Sequence, residues 1–134
     1  MRRAMNHELT GMFESVDRMS VEGFLSYLTD DVVFRFGNSP EVVGKEGVRT
    51  AIESFFTQIA SMEHILQGVW SEGNTTIMRF DTNYTQHDGT IINVPCCVVV
   101  HFNASRLIND YRIHIDISPL YSSASAGNVI QASA

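Results

Sequence analysis

The 134-residue chain has the length of a single domain and can bury an apolar core without disulfide bonds or structural metals. Its formal net charge is −6, and basic residues cluster nowhere beyond Arg2 and Arg3, which argues against nucleic acid as a partner. The sequence shows neither a signal-peptide pattern nor an apolar run of membrane-spanning length. We therefore expect a cytoplasmic protein that does not bind membranes.

The first half of the chain predicts two helices, a strand and a third helix. Apolar residues at a four-three spacing across residues 5–19 predict an amphipathic helix. Ser20 is a suitable N-cap for a short second helix, which Asp30 and Asp31 are expected to end. Residues 32–36 predict a first strand, and an apolar face over residues 48–59 predicts the third helix.

The second half predicts four strands, at residues 64–71, 75–86, 91–102 and 107–118. The turns between them include Asp88–Gly89, a strong hairpin signal, so the strands should form an antiparallel meander. Helices must cover one face of such a sheet. We expect an α+β domain over residues 1–121, with a cone-shaped curved antiparallel sheet wrapped on about three helices around an apolar pocket. Residues 122–134 should form a flexible tail.

The two cysteines, Cys96 and Cys97, are neighbours on a predicted strand, where adjacent side chains point to opposite faces. They are poor disulfide partners, and we interpret them as small buried hydrophobic residues. The sequence contains no CxxC spacing, phosphate-binding glycine loop or nucleophile elbow, so we expect no cofactor and no metal. A metal site at His114 and Asp116, together with His64 or His101, is the minor alternative.

Three stretches of the chain resemble a known family. Their sequences are FRFGN (34–38) followed by VGKEGV (43–48), YTQHDG (84–89) followed by VP (94–95), and INDYRIHIDISPL (108–120). Over residues 6–121 the chain resembles the SnoaL-like polyketide cyclases of the nuclear transport factor 2-like superfamily. The resemblance implies a pocket for a small hydrophobic molecule such as a polyketide or terpenoid.

This superfamily includes isomerases, cyclases, dehydratases, epoxide hydrolases and pure binding domains, so its fold does not fix a reaction. Ketosteroid isomerases carry an aspartate base near the end of the first strand, where this chain has Phe36. Limonene-epoxide hydrolases carry Arg-x-Asp on the third strand, which Arg79 and Asp81 match. The position of their second aspartate corresponds to Ile113 in this chain, and Asp116 lies further along the strand.

The catalytic candidates are His114, Asp116, Asp81 and Arg79. His114 and Asp116 share one face of the last strand, and a carboxylate beside an imidazole can make it a general base. Arg79 could hold an oxyanion or fix the Asp81 carboxylate. The alternative is that these residues lie on the outer sheet face, as an ion-pair cluster with Arg112 or in a dimer interface, unless a β-bulge reverses the strand.

The substrate-binding candidates are predicted to supply the pocket wall. They are Phe34, Phe36, His64, Trp70, Tyr84 and Tyr111. His64 and Trp70 should share a strand face, and one polar group among apolar walls suits a small-ligand pocket. Alternatively, His64 is a partly exposed histidine at a strand end.

These observations favour a cofactor-independent acid/base enzyme that cyclises, isomerises or dehydrates a small hydrophobic molecule. The first alternative is a non-catalytic domain for small-molecule binding or dimerisation, and the second is an epoxide hydrolase. The composition of the last three strands also predicts a homodimer through the outer sheet face.

Overall fold

The structure is a computed structural model that describes residues 6–122. Met5, at the start of the predicted first helix, lies outside the described residues. So does the predicted flexible tail, residues 122–134, apart from its first residue.

The helices of the described chain are α1 (His7–Asp17), α2 (Val21–Leu25), α3 (Lys45–Thr57) and α4 (Ser118–Ser122). The Asn6 side chain caps α1 by accepting a hydrogen bond from the Leu9 N–H at 2.9 Å. Ser20 caps α2 in the same way, because its hydroxyl oxygen accepts from the Gly23 N–H at 3.1 Å. The first three helices are those that the sequence predicts.

Six strands form one sheet: β1 (Leu28–Phe36), β2 (Val42–Val43), β3 (Ser61–Glu72), β4 (Thr75–Thr85), β5 (Ile91–Phe102) and β6 (Ile108–Ile115). Their spatial order is β2-β1-β6-β5-β4-β3. β1 pairs with β6 in parallel, and the other neighbouring strands are antiparallel. The predicted meander from β3 to β6 is confirmed, and so is the α+β class.

Two element boundaries differ from the sequence prediction. Asp30 and Asp31 lie inside β1 instead of ending α2, at a point where the pairing of β1 with β6 is interrupted and both side chains are exposed. Ser118 and Pro119 begin α4 instead of ending the last strand. Proline is tolerated in the first turn of a helix, where its missing N–H has no intrahelical partner.

The core lies between the helices and the inner face of the sheet. β4 shows the alternation of a half-buried strand, since Thr76, Met78, Phe80, Thr82 and Tyr84 are buried. Each large apolar side chain that is fully buried in this way contributes roughly 1.5–3 kcal/mol. No helix among the described residues is long and apolar enough to cross a membrane.

Candidate functional site

A cavity of about 30 Å³ lies between the helices and the inner sheet face. Seven of the residues that line it are phenylalanine or tyrosine, and five more are aliphatic. Apart from the two tyrosine hydroxyls, the polar side chains of this lining are His64 and Cys96. The cavity therefore presents a few polar groups in an apolar wall, as small-molecule sites do.

His64 is held in this wall by Asp17, the last residue of α1. The Nδ1 atom of His64 lies 2.7 Å from Oδ1 of Asp17, and the His64 backbone N–H donates to Oδ2 at 3.0 Å. The His64 side chain is only 8% exposed, and the ring of Phe13 packs 5.0 Å from it. Because a carboxylate accepts hydrogen bonds, Asp17 favours the tautomer with the proton on Nδ1, which leaves the lone pair of Nε2 for a ligand.

Asp17 is a residue that sequence reasoning missed. Acidic side chains at a helix C-terminus are disfavoured by the helix dipole, so this position normally carries a basic or an uncharged residue. That unfavourable placement was the one signal in the sequence. Its partner is 47 residues away, a separation that no spacing rule connects.

Tyr84 and Tyr111 line the same cavity from β4 and β6. Burial raises the pKa of both hydroxyls far above the ordinary tyrosine value, and the negative charge of Asp17 raises the pKa further. Both phenols therefore stay protonated at physiological pH and act as hydrogen-bond donors.

Cys96 also faces the cavity, and its sulfur lies 3.6 Å from the Thr82 hydroxyl. Burial raises the pKa of the Cys96 thiol, with Thr82 acting in the opposite direction. A thiol of this kind is a poor nucleophile, because the thiolate is the reactive form. Cys97 is half-buried on the opposite face of β5.

The four residues predicted to be catalytic lie on the outer face of the sheet, away from the cavity. His114 and Asp116 are exposed, and the Asp116 carboxylate accepts a hydrogen bond from the Ser118 N–H at 3.0 Å. Arg79 is exposed and Asp81 half-buried on β4. The pairing of β5 with β6 is regular around His114, so no bulge turns this face inward.

The structure does not contain the ion-pair cluster that the sequence suggests for this face, and Arg112 has different partners. Arg112 pairs with Asp110 at 2.8 Å and with Glu41 at 2.7 Å, and not with Asp81 or Asp116. The guanidinium carbon of Arg79 lies 5.9 Å from the centroid of the Trp70 ring.

Five of the six predicted substrate-binding residues line the cavity: Phe34, Phe36, His64, Tyr84 and Tyr111. Trp70 does not line it, and its side chain is 37% exposed on the outer face. The reason is a β-bulge at Gln67, which shifts the pairing of β3 with β4 between Leu66 and Gly68. The extra residue reverses the alternation, so Val69 points inward where Trp70 was expected.

A wider pocket of about 180 Å³ adjoins the inner cavity and shares four lining residues with it, namely Phe34, Phe36, Ile52 and Phe55. We call this pocket the mouth. It is bordered by α4, where the Tyr121 hydroxyl donates to Oε1 of Gln58 at 2.6 Å. The Gln86 amide also donates to the Leu120 carbonyl at 2.7 Å. The rings of Phe36 and Phe55 line both pockets, and their centroids lie 5.0 Å apart.

One curved sheet wrapped on three helices, with a pocket between the two layers, is the nuclear transport factor 2-like fold. Solved structures that share it include a protein with a ketosteroid isomerase-like fold from Catenulispora acidiphila DSM 44928, in complex with trimethylamine. Its TM-score is 0.78 at 9% identity, over 87% of this chain and 91% of that chain. TerC, co-crystallised with polyporic acid, has a TM-score of 0.75 at 13% identity, over 86% and 93%. A candidate SnoaL-like polyketide cyclase from Jannaschia sp. CCS1 has a TM-score of 0.74 at 14% identity, over 92% and 98%.

At these identities the likeness to solved structures concerns the fold alone. The sequence model of the SnoaL-like domain family matches residues 9–110 of the chain, and this match establishes the family. The chain therefore belongs to the SnoaL-like domain family, as the motifs in its sequence predict. Among curated proteins, no sequence matches the chain.

Proposed function

We propose that the protein is an acid/base enzyme that moves a proton on a small hydrophobic molecule, with His64 as the general base. The observation that carries this proposal is the Asp17–His64 pair, in which one imidazole nitrogen is held by a carboxylate and the other is left for a ligand in an apolar cavity. Proton transfer by an imidazole needs no cofactor.

The mechanism follows from the tautomer that Asp17 favours. The lone pair on Nε2 of His64 takes a proton from a carbon atom next to a carbonyl group, the C–H electron pair forms a carbon–carbon double bond, and the carbonyl oxygen becomes an enolate oxygen. The imidazolium that results lies against the Asp17 carboxylate at 2.7 Å, which stabilises its positive charge.

The enolate can then react in three ways without any further reagent. When a neighbouring carbon–carbon double bond is conjugated with it, the enolate can take the proton back from Nε2 at a different carbon, which is isomerisation. It can attack a second carbonyl group of the same molecule, whose oxygen then takes the proton from the imidazolium, which is an aldol cyclisation. It can also expel a hydroxyl group that the imidazolium protonates, which is dehydration. The three reaction types that the sequence suggests thus share one first step at His64.

The surroundings of His64 favour this role over that of a structural histidine. Its ring lies 5.0 Å from the rings of both Phe13 and Phe80, so little water competes for Nε2. Electrostatic interactions are stronger in such an apolar site than in water. One solved neighbour is described as a candidate polyketide cyclase and another carries polyporic acid, which supports a polyketide-like or aromatic ligand here.

The first step can be tested before the natural substrate is identified. We expect the protein to catalyse exchange of the α-hydrogens of 2-tetralone, a two-ring ketone, for deuterium in heavy water, followed by proton NMR. His64→Gln should reduce the catalysed rate by roughly a hundredfold or more, which is the usual share of a general base. Asp17→Asn should also lower the rate, because it removes the charge that stabilises the imidazolium.

The matched controls are the residues on the outer face. His114→Gln and Asp116→Asn should leave the exchange rate close to that of the wild type, since both side chains are exposed to solvent. A loss of exchange in these controls with full exchange in His64→Gln would move the active site to the outer face. Ligand binding without any exchange would support a binding domain instead.

A further inference from the structure

Tyr121 of α4 borders two pockets of the described chain. It lines the mouth, and it also lines a second pocket of about 340 Å³, which we call the side pocket. Phe55 and Gln58 are likewise common to both linings. The other residues of the side pocket are Ile59, Gln86 and Leu120. Pockets that share lining residues are neighbours, so the three shared side chains lie at the boundary between the mouth and the side pocket.

A hydrogen bond holds the Tyr121 side chain at this boundary. Its hydroxyl donates to Oε1 of Gln58 at 2.6 Å, which is near the short end of the range for O–H···O hydrogen bonds. Gln58 is the C-cap residue of α3, and its backbone N–H donates to the Phe55 carbonyl at 3.0 Å. The side-chain hydrogen bond therefore joins the end of α3 to α4 where the two pockets meet.

The backbone of α4 has anchors that do not involve the Tyr121 side chain. Leu120 is buried, and its carbonyl accepts a hydrogen bond from the Gln86 amide at 2.7 Å. At the start of the helix, the Asp116 carboxylate accepts from the Ser118 N–H at 3.0 Å. The Tyr121 residue, in contrast, is 49% exposed. Its ring can therefore rotate about its own side-chain bonds while the helix stays in place, and the main loss is one hydrogen bond.

The volumes of the pockets give this boundary a consequence for ligand size. Pockets for drug-sized ligands usually measure about 300–1,000 Å³, and the mouth, at about 180 Å³, falls below that range. A cavity of about 150 Å³ holds one benzene molecule. The mouth alone therefore suits a short ligand of one or two rings, whereas the mouth and the side pocket together have the volume for a longer one.

Phe55 adjoins the candidate active site as well as these two pockets. It lines the inner cavity, the mouth and the side pocket. Its ring lies 5.0 Å from the ring of Phe36 and meets Tyr84 edge-on at 5.7 Å, which makes an aromatic wall suited to fused rings. A ligand with its reacting end at His64 therefore has its far end directed toward the mouth and Tyr121.

We propose that Tyr121 determines the length of ligand that the site accepts, because its ring, held by Gln58, closes the mouth off from the side pocket. Ligands of one or two rings bind without moving the ring. A longer ligand must displace it and break the Tyr121–Gln58 hydrogen bond, which lowers the affinity for long ligands. This inference rests on the proposed function, since it places the reacting end of the ligand at His64, and it names the size class of the substrate.

Two ketones of different length test the role of Tyr121. They are 2-tetralone and its analogue with a third ring fused in line, a dihydroanthracenone, and isothermal titration calorimetry measures both affinities. Tyr121→Phe keeps the ring and removes the hydroxyl that holds it. We expect this variant to bind the three-ring ketone roughly fivefold more tightly, the usual effect of one hydrogen bond, and to bind 2-tetralone as the wild type does.

Gln58→Met and a double variant show whether the effect belongs to the hydrogen bond. Gln58→Met removes the acceptor and keeps an unbranched side chain of similar size, so it should raise the affinity for the three-ring ketone equally. Because both substitutions remove the same interaction, the double variant should show no further increase. The matched control is Tyr27→Phe, since Tyr27 is half-buried and absent from the linings of both described pockets. It should change neither affinity.

The outcomes for ligand length and for catalysis are separable, because calorimetry needs no turnover. An unchanged affinity for the three-ring ketone in both single variants overturns the role of Tyr121, whether or not 2-tetralone exchanges hydrogen. An equal rise for both ketones overturns it as well, and so does a wild type that binds neither. A rise confined to the three-ring ketone, without any hydrogen exchange, supports the role of Tyr121 and contradicts His64 as the base. If Tyr121→Phe melts many degrees lower and binds both ketones more weakly, the hydrogen bond serves to hold α4 in place and the proposal is wrong.

Discussion

The chain contains two combinations of histidine and aspartate that could serve as a base, and their surroundings differ. His114 and Asp116 project from the outer face into solvent, whereas His64 and Asp17 meet at the edge of an apolar cavity. Two unit charges 4 Å apart interact by about 1 kcal/mol in water and by about 4 kcal/mol at an effective dielectric constant of 20. The same residue types are therefore a stronger acid/base pair at Asp17–His64.

The two adjacent cysteines should differ in reactivity for a related reason. Burial raises the pKa of the Cys96 thiol, so a smaller fraction of it is thiolate at any given pH, and Cys97 is the more accessible of the two. We expect iodoacetamide at mildly alkaline pH to alkylate Cys97 first, as followed by mass spectrometry. Cys97→Ser should react slowly until the protein is unfolded in urea. Alkylation of Cys96 in folded Cys97→Ser at the wild-type rate of Cys97 would contradict this.

At the level of the strand, the bulge at Gln67 separates the part of β3 that carries His64 from the part that carries Trp70. The pairing of β3 with β4 is regular on both sides of Gln67, and its register shifts between Leu66 and Gly68. Bulges bend a strand and increase its twist. The bend follows His64 by three residues, so it shapes the wall in which His64 lies.

Deletion of Gln67 tests whether this bend serves the site. The deletion would make the pairing of β3 with β4 continuous and keep every existing pair, so we expect a melting temperature close to that of the wild type. Removing the bend should displace His64, and a displacement of about 1 Å can lower a rate by roughly a hundredfold. Hydrogen exchange in 2-tetralone measures this loss, and Gln67→Ala is the control that keeps the bulge.

A deletion variant that exchanges hydrogen at the wild-type rate would show that the bend is not needed for the site. A variant that melts far below the wild type would show that the bulge supports packing instead.

The elements that the sequence predicts well are those with a local signal. The alternation in β4 and β5 and the Asp88–Gly89 turn specify a hairpin by themselves. The bulge in β3 gives no such signal, because one extra residue leaves the apolar content of the strand unchanged. The Asp17–His64 pair depends on how α1 packs against β3, which only the folded chain determines.

At the scale of the whole molecule, the sheet has an inner face that forms the cavity and an outer face that is partly apolar. On the outer face of β3 and β4, Ile65, Trp70 and Ile77 are 40%, 37% and 38% exposed. We call these three residues the outer strip. Trp70 and Ile77 are cross-strand partners, so their side chains are adjacent. Neighbouring exposed apolar residues on a sheet favour contact with another protein surface.

The sequence predicts a homodimer through this face, and the outer strip gives that prediction a specific test. A stable dimer buries about 800 Å² on each partner, and a two-fold interface brings the same strip of both copies together. Trp70→Glu would place two desolvated carboxylates at such an interface, so we expect it to convert a dimer into a monomer in sedimentation velocity at micromolar concentration. Val43→Glu is the matched control, because Val43 is 68% exposed on β2, at the far edge of the sheet. The Val43→Glu variant should remain a dimer.

The Trp70→Glu variant should keep the exchange rate of the wild type, since the cavity lies on the opposite face. A wild type that sediments as a monomer, or a Trp70→Glu variant that still sediments as a dimer, would show that the outer strip is not the interface.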